Sequence, residues 1–170
     1  MAARKASVLW VDDEIDLLKS QIMFLEERGY TVKAVSNGED AISLVRSQDF
    51  DLILLDQMMP GLDGLTTLVR IKEIKPTIPV VMVTKLEEEE LIDEALRRRI
   101  DDFLLKPVNP VQILSVARRI LESRQIRERE LSREYAEHFQ TIETMRANAR
   151  HWNDWIDIHL KLSEWDILLD

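Results

Sequence analysis

Three acidic side chains, one hydroxyl and one amine are spaced along the sequence where they could bind phosphate. Asp12 and Asp13 follow a short apolar run, Asp56 follows another, and Thr84 and Lys106 stand at the ends of two more. Two like charges about 4 Å apart repel by roughly 4 kcal/mol at an effective dielectric near 20, so clustered carboxylates need a cation. Mg²⁺ suits an all-oxygen site that takes a phosphate. A carboxylate there can attack a phosphoryl donor and form an acyl phosphate, while the hydroxyl and the amine bind phosphate oxygens.

Each of these residues has a simpler interpretation when it is taken alone. Asp12 or Asp13 could equally be an N-cap for the next helix. Thr84 alone is more often a cap or a strand terminus, and Lys106 alone is most often a solvated surface charge. The combination favours a phosphate site, because four strand ends of one α/β unit rarely carry these groups by chance.

Five short apolar runs alternate with amphipathic stretches, and this alternation predicts the fold. The runs lie at residues 8–11, 31–35, 52–55, 80–83 and 103–105, and three of them are almost continuously apolar, as in strands covered on both faces. Helical patterns lie at 15–25, after Asn37-Gly38, at 65–71, at 91–96 and from about Pro110, and Gly29 is placed to end the first helix. The sequence therefore predicts an α/β fold with a five-stranded, doubly wound parallel sheet, whose ligand sites lie at the carboxyl ends of the strands.

Length and composition limit the classes of function. The 170 residues suffice for one domain and an appendage, so we predict a domain at 1–122 and a helical extension at 123–170. A net charge of −9 argues against a nucleic-acid partner, because phosphate binding depends on lysine and arginine. The chain has no cysteine, and no apolar run approaches the roughly 20 residues of a membrane span. The first residues are polar and lack the pattern of a signal peptide, so we expect a cytoplasmic location.

The residues after 122 carry two apolar stripes at helix-packing spacing. The first comprises Leu131, Tyr135, His138, Ile142, Met145 and Ala149, and the second comprises Trp155, Ile158, Leu162, Trp165 and Leu169. Such stripes are packing surfaces far more often than cofactor sites. We therefore predict the start of a helical bundle that packs on itself, on a further helix or on a partner chain. No recognition helix rich in arginine or lysine is evident in this stretch.

The motifs together resemble the CheY-like receiver domain of two-component response regulators. The resemblance covers residues 5 to about 122 and rests on Val11-Asp12-Asp13-Glu14, the run from Asp56 to Gly64, Val83-Thr84 and Lys106-Pro107. It implies a flavodoxin-like receiver that a sensor histidine kinase phosphorylates on Asp56. It also implies a phosphoacceptor signalling domain rather than an enzyme, with self-phosphorylation and self-dephosphorylation as its only chemistry.

The resemblance further implies roles for individual residues. Mg²⁺ would be bound by Asp13, Asp56 and the main-chain carbonyl of Met58, with Asp12 assisting through water. Thr84 and Lys106 would bind the phosphoryl group. Phe103, three residues before the lysine, occupies the position of the aromatic switch residue, and a plain core side chain in the fifth strand is the alternative. The Lys106–Pro107 peptide bond is expected to be cis.

Several details are similar to PorX-type response regulators, in which a helical bundle and a phosphatase-like PglZ domain follow the receiver. These details are the run from Leu9 to Leu18, Thr84-Lys85 with the glutamates after it, the run from Lys106 to Pro110, and the tryptophan-rich helix. The similarity implies a role in regulating type IX secretion. We expect the chain to be truncated in or just after the bundle, so no hydrolase activity is assigned to these residues.

Two features differ from the usual receiver pattern. Lys85 stands directly after Thr84, where receivers usually have a small residue. The positions two past Asp56 and two past Thr84 are the apolar Met58 and Leu86. Neither apolar side chain can orient a water molecule, so we expect slow autodephosphorylation, with bulky surface residues of no kinetic role as the alternative.

Phosphorylation is expected to act as a charge-driven switch. The added negative charge would draw Thr84 inward, Phe103 would follow, and the chain would form a homodimer. Two other functions use similar residues. A haloacid-dehalogenase-like phosphotransferase needs a second aspartate at the place of Met58, and a pseudo-receiver interaction module would not need the complete set of acids, Thr84 and Lys106.

Overall fold

A computed structural model describes residues 4–85 and 100–148 of the chain, with side chains as far as residue 146. Five parallel strands form one sheet in the order β2-β1-β3-β4-β5. The strands are β1 (Ala6–Val11), β2 (Tyr30–Val35), β3 (Leu52–Asp56), β4 (Val80–Thr84) and β5 (Asp102–Leu105). The predicted five-stranded parallel sheet is therefore confirmed. Its strand order reverses between β1 and β3, which is where such sheets form a ligand crevice.

The interior strands of the sheet are those whose sequences are almost continuously apolar. β3 and β4 are buried along their whole length, and so are the last four residues of β1. The edge strands β2 and β5 each keep exposed positions. This difference follows from topology, because only an interior strand with helices on both faces is shielded from water on every side.

Local signals set the helix ends. The helices within the described residues are α1 (Lys19–Glu27), preceded by a 3-10 turn at Ile15–Leu18, α2 (Gly38–Ser47), α3 (Gly64–Ile74) and α4 (Pro110–Asn148). Asn37 and Asp63 cap α2 and α3, since each side chain accepts a hydrogen bond from a backbone amide of the first turn. Gly29, just past α1, has a φ of +91°, as suits a residue after a helix. The helix predicted at 91–96 lies outside the described residues.

Alternate residues of each central strand face two separate cores. In β1, Leu9 and Val11 pack in the core that contains α2 and α3. Val8 and Trp10 pack in the other core, with Leu25 of α1. The first turns of α4 complete that second core through Ile113, Ala117 and Ile120. Helices thus cover both faces and leave the carboxyl edge of the sheet for a site.

The chain divides into two compact units, Met1–Glu122 and Ser123–Asp170. That these units are separate functional domains stays a prediction. In the described part of the second unit, α4 exposes Leu131 and Tyr135 and half-buries His138, Ile142 and Met145. Ala149 and the second apolar stripe lie outside the described residues. In the described ranges, no helix combines the length and apolar character needed to cross a bilayer.

Candidate phosphate-binding and metal site

The carboxyl ends of four neighbouring strands bring the candidate residues together. Asp56 and Thr84 are the last residues of β3 and β4, while Asp12 and Lys106 directly follow β1 and β5. Because parallel strands run the same way, these ends share one edge of the sheet. Asp12, Asp56 and Thr84 are 0%, 2% and 5% exposed, so the site is built from buried polar groups.

Lys106 supplies the positive charge among these groups. Its Nζ lies 3.0 Å from Asp12 Oδ2 and 3.0 Å from Asp56 Oδ2, and its side chain is 16% exposed. It is therefore not the solvated surface charge that a lone lysine would suggest. Both carboxylate oxygens are buried, and apart from the Lys106 ammonium neither has a hydrogen-bond partner. One ammonium thus faces two buried carboxylates, and negative charge is in excess.

Asp13 adds a third carboxylate to the cluster. Carboxylate oxygens of Asp12, Asp13 and Asp56 lie within 4.8 Å of one another, and only Asp13 is exposed. This donor set fits Mg²⁺, because it offers oxygen ligands, two buried oxygens that lack hydrogen bonds, and an open side for retained waters. Met58, whose main-chain carbonyl is the further predicted ligand, lies in the loop after β3.

Asp12 shapes the backbone but is not a helix cap. Its Oδ1 accepts a hydrogen bond from the Glu14 amide at 2.9 Å, which fixes the turn after β1. The N-cap positions of the 3-10 turn and of α1 are Glu14 and Leu18, and neither makes a side-chain cap hydrogen bond. The N-cap interpretation of Asp12 and Asp13 is therefore wrong. Asp12 uses one oxygen for the turn and presents the other to Lys106.

Gly64 positions the loop that carries the Met58 carbonyl, which is a predicted metal ligand, and the sequence pattern did not reveal this role. Its amide donates to the Gln57 carbonyl at 3.0 Å, and the Gln57 amide donates to the Val83 carbonyl at 3.0 Å. A Cβ at residue 64 would overlap the main-chain carbonyl of Asp56, so α3 can begin this close to β3 only with glycine. A glycine directly after the N-cap Asp63 is the sequence signal that could have indicated this approach.

Burial and charge shift the pKa values of the central pair. Burial raises the pKa of the Asp56 carboxyl above its ordinary value, and the charge of Asp12 adds to this, while Lys106 and the Met58 amide act in the opposite direction. Burial acts to lower the pKa of Lys106, but its contacts with the two carboxylates outweigh burial and raise that pKa. Burial therefore makes ionisation of Asp56 less favourable than in water, while the two carboxylates favour the charged form of Lys106.

Thr84 and Phe103 occupy adjacent strands near the site. The Thr84 hydroxyl donates a long hydrogen bond, 3.4 Å, to the Lys85 carbonyl. Phe103 is 37% exposed on β5, so its alternative interpretation as a plain core side chain is wrong. Its role as a switch stays a prediction. The Lys106–Pro107 peptide bond is cis, as predicted.

Of the two apolar residues on which the prediction of slow dephosphorylation rests, Met58 and Leu86, the structure describes one. The Met58 side chain is 57% exposed beside the site. Leu86 lies outside the described residues. Met58 is therefore a surface residue, and the effect of its side chain on the lifetime of a phosphoryl group stays a prediction.

A cleft of about 480 Å³ opens beside the buried carboxylates. Its charged lining consists of Asp12, Glu14, Lys85 and Lys106, and its apolar lining includes Leu17, Leu18, Pro107 and Val108. Lys85 is exposed and directly follows β4. The cleft therefore places two cations and an apolar wall next to the candidate nucleophile.

Known proteins are similar to this chain in sequence. The family model of the response regulator receiver domain matches residues 8–118. The chain is 36% identical over 110 residues to the transcriptional regulatory protein ResD of Bacillus subtilis (strain 168), covering 65% of this chain and 45% of ResD. It is 28% identical over 165 residues to the transcriptional regulatory protein SrrA of Staphylococcus aureus (strain NCTC 8325 / PS 47), covering 95% of this chain and 68% of SrrA. The chain thus spans less than half the length of ResD.

A solved structure is similar to this chain in fold. The CheY-like response regulator receiver domain protein from Methanospirillum hungatei JF-1 is similar at a TM-score of 0.68, with 26% sequence identity. The match covers 98% of that protein and 72% of this chain. A complete domain of this kind is therefore contained in part of the chain.

Proposed function

Because the chain belongs to the response regulator receiver domain family, we propose that Asp56 accepts a phosphoryl group from a sensor histidine kinase. The observation that carries this proposal is the state of the Asp56 carboxylate. It is 2% exposed, and its Oδ2 lies 3.0 Å from the Lys106 ammonium and has no other hydrogen-bond partner. Buried carboxylates with a purely structural role are normally satisfied by hydrogen bonds. Asp56 instead keeps an oxygen for chemistry at a strand end.

The proposed reaction is a transfer to the Asp56 carboxylate. A carboxylate oxygen attacks phosphorus while the bond from phosphorus to the donor's leaving group breaks, and the product is an acyl phosphate. Lys106, which already faces Asp56, holds one phosphoryl oxygen, and the Thr84 hydroxyl donates to another. Asp13, Asp56 and the Met58 carbonyl would hold Mg²⁺, with Asp12 assisting through water, and the ion would neutralise charge on the transferred group.

Labelling with a small phosphodonor tests the proposal. Incubation with acetyl phosphate and Mg²⁺ should label the chain once, and Asp56→Asn should abolish the label. Asp49→Asn is the matched control, because Asp49 is exposed and pairs with Lys75 away from the site. A chain that takes no label would support the pseudo-receiver alternative. Repeated release of phosphate without a stable label would support the phosphotransferase alternative.

The proposed consequence of phosphorylation is a switch across β4 and β5. The phosphoryl group adds about −1.5 to −2 charges and draws the Thr84 hydroxyl from its long bond to the Lys85 carbonyl. Thr84 pairs with Leu105 in the sheet, two residues from Phe103, so the movement has a short path to the exposed aromatic ring. Phe103 would turn inward and change the surface around β5. That surface or the second unit would then form the contact of a homodimer.

Light scattering with and without a beryllofluoride phosphoryl mimic tests the switch. The molar mass should double when the mimic and Mg²⁺ are present, and Asp56→Asn should stay at the starting mass. Phe103→Ala should take the label normally but dimerise less. A mass unchanged by the mimic in the unaltered chain would argue against dimerisation as the output.

We also propose a long-lived phosphoryl state. The exposed Met58 side chain has no polar atom able to orient an attacking water molecule, so the acyl phosphate should persist for minutes or longer rather than seconds. Met58→Asn should shorten the lifetime of the acyl phosphate several-fold, since an amide can hold water. Met23→Asn, at an exposed position of α1, should not change it. A lifetime of seconds in the unaltered chain would rule out this part of the proposal.

The proposed output is protein-based signalling in the cytoplasm, of the PorX type and linked to type IX secretion. The similarity of Leu9 to Leu18, of Lys106 to Pro110 and of the tryptophan-rich stretch supports this subclass. The net charge of −9 supports a protein partner over DNA. Two relatives are named transcriptional regulatory proteins, so DNA binding is the competing output. Retention of labelled chain on duplex DNA at low salt would favour that competitor.

A further inference from the structure

We infer that Lys85 is a specificity-determining residue that recognises the doubly charged phosphoryl group of an incoming phosphodonor. The inference rests on the proposed function of Asp56 and adds a residue that the motif-based assignment leaves without a role. Lys85 is exposed, directly follows the last residue of β4, and lines the cleft of about 480 Å³ together with Lys106. It therefore shares a cleft with Lys106, whose ammonium lies 3.0 Å from Asp56 Oδ2.

The charges around the cleft leave a role for a second lysine besides Lys106. Asp12 and Glu14 line the cleft, and Asp56 lies beside it, so a dianionic donor meets three negative charges. Lys106 lies 3.0 Å from an oxygen of each buried carboxylate, and its charge is already offset by them. A cation at the entrance of the cleft therefore reduces the repulsion that an anionic donor meets as it approaches.

Lys85 has the freedom to supply that charge. The ion pairs described within residues 4–85 and 100–146 do not include its ammonium group. The residue before it is held in place, because the Lys106 amide donates to the Thr84 carbonyl at 2.8 Å and Thr84 ends a fully buried strand. A flexible lysine on a rigid strand end can follow a phosphoryl group inward and release it after transfer.

The apolar side of the cleft suits the other end of the donor. Leu17, Leu18, Pro107 and Val108 form a wall that contacts a small uncharged carrier, such as an acetyl group or an imidazole ring. The chemistry shared by an acyl phosphate and a phosphohistidine is the phosphoryl group, and Lys85 is assigned to that shared part.

In the acetyl phosphate reaction, an Asp56 oxygen forms the new bond to phosphorus while the phosphorus–oxygen bond to acetate breaks. Acetate leaves with the electron pair, and no proton is transferred.

Substitutions that separate charge from bulk test the inference. Lys85→Met keeps the length of the side chain and removes the charge, Lys85→Arg keeps the charge, and Lys85→Ala removes both. Lys33→Met, at an exposed position on edge strand β2, is the matched control. The measurements are the second-order rate of labelling by acetyl phosphate and by phosphoramidate at two ionic strengths, and the Mg²⁺ affinity by calorimetry.

We expect Lys85→Met and Lys85→Ala to lower the rate with both donors by about fivefold at low salt. A charge pair at about 4 Å in water contributes about 1 kcal/mol, which corresponds to a factor of about five. The dependence of the rate on salt should flatten in both variants. Lys85→Arg and Lys33→Met should stay within about twofold of the unaltered chain, and Mg²⁺ affinity should not fall in any of them.

Three outcomes would overturn the inference. Equal rates for Lys85→Met and the unaltered chain would show that the charge is not used. A faster Lys85→Ala with an unchanged Lys85→Met would show that the side chain only fills space. A loss with acetyl phosphate alone would assign Lys85 to the acyl carrier rather than to the phosphoryl group. Failure of the proposed function is a separate result, because the unaltered chain would then take no label or Asp56→Asn would retain it.

Discussion

Two sets of charged side chains in this molecule are arranged in opposite ways. At the site, Asp12 and Asp56 are almost fully buried and share the single ammonium of Lys106. Along α4, Arg124 and Glu128 form a one-to-one pair at 2.9 Å, with side chains 34% and 62% exposed. The first set has an excess of negative charge, whereas the second is locally neutral.

Solvent explains what this difference means for function. On α4, water screens the pair, so it contributes about 0.3–0.5 kcal/mol at most, and an arginine that precedes its glutamate is the less favourable order. At the sheet edge the same interactions are several times stronger, because the groups are removed from water. The excess negative charge at the site therefore favours binding of a further cation, while the helix pair only supports the helix.

Removal of the shared ammonium should have the largest effect. Lys106→Met would leave two buried carboxylates facing each other without a counter-charge, and we expect the free energy of unfolding to fall by about 3 kcal/mol in the absence of Mg²⁺. Urea denaturation measures this. Lys33→Met at an exposed position should change stability by less than about 0.5 kcal/mol. A loss below about 1 kcal/mol at residue 106 would mean that the two sets of charges are not so different.

Addition of the missing cation should have the next largest effect. Mg²⁺ at ten times its dissociation constant should stabilise the chain by about 1.4 kcal/mol, because it binds the folded cluster alone. Asp13→Asn should remove most of this gain without a large change in the stability of the metal-free chain, since Asp13 is exposed. Thermal melts with Mg²⁺ and with a chelator measure it. Equal stabilisation of Asp13→Asn would remove Asp13 from the metal site.

Removal of one buried acid should stabilise the metal-free chain. Asp56→Asn relieves repulsion from Asp12 and leaves Lys106 with one partner, so we expect a gain of about 1 kcal/mol at neutral pH. The gain should shrink as pH falls. The pKa of Asp56 is higher in the folded state than its ordinary 3.8, so on acidification the folded unaltered chain binds this proton before the unfolded chain does. The stability of the unaltered chain therefore rises as pH falls from the raised pKa toward 3.8. Melts of both proteins from neutral to acidic pH test this, and a gap that widens on acidification would contradict it.

Disruption of a helix pair should have the smallest effect. Glu128→Gln removes the partner of Arg124 on α4, and the expected loss is below about 0.5 kcal/mol because both groups are largely in water. Helix content by circular dichroism and the urea midpoint should remain close to the starting values. Raising the salt concentration should shrink the difference further. A loss as large as that of Lys106→Met would show that this pair is shielded from water.

Much of the fold follows from short-range signals in the sequence. Apolar runs predicted the five strands, Asn37 opened α2, Gly29 followed α1, and Pro110 began α4, all as observed. The placement of the acids and of Lys106 at strand ends was also predictable, because the alternation of strands and helices dictates a parallel sheet. These signals act within a few residues or through a repeating pattern, so a sequence carries them directly.

The burial and the charge contacts of each site residue were not predictable from the sequence in the same way. Asp12 and Asp13 are neighbours of the same type, yet only Asp12 is buried and faces Lys106, because the turn after β1 directs one of them inward. Phe103 is exposed because β5 is an edge strand. Sequence by itself determined which groups this protein brings to one edge of its sheet. Only the tertiary structure decided which of them lose water and share a charge, since burial and Coulomb interactions depend on groups that are distant in the chain and close in space.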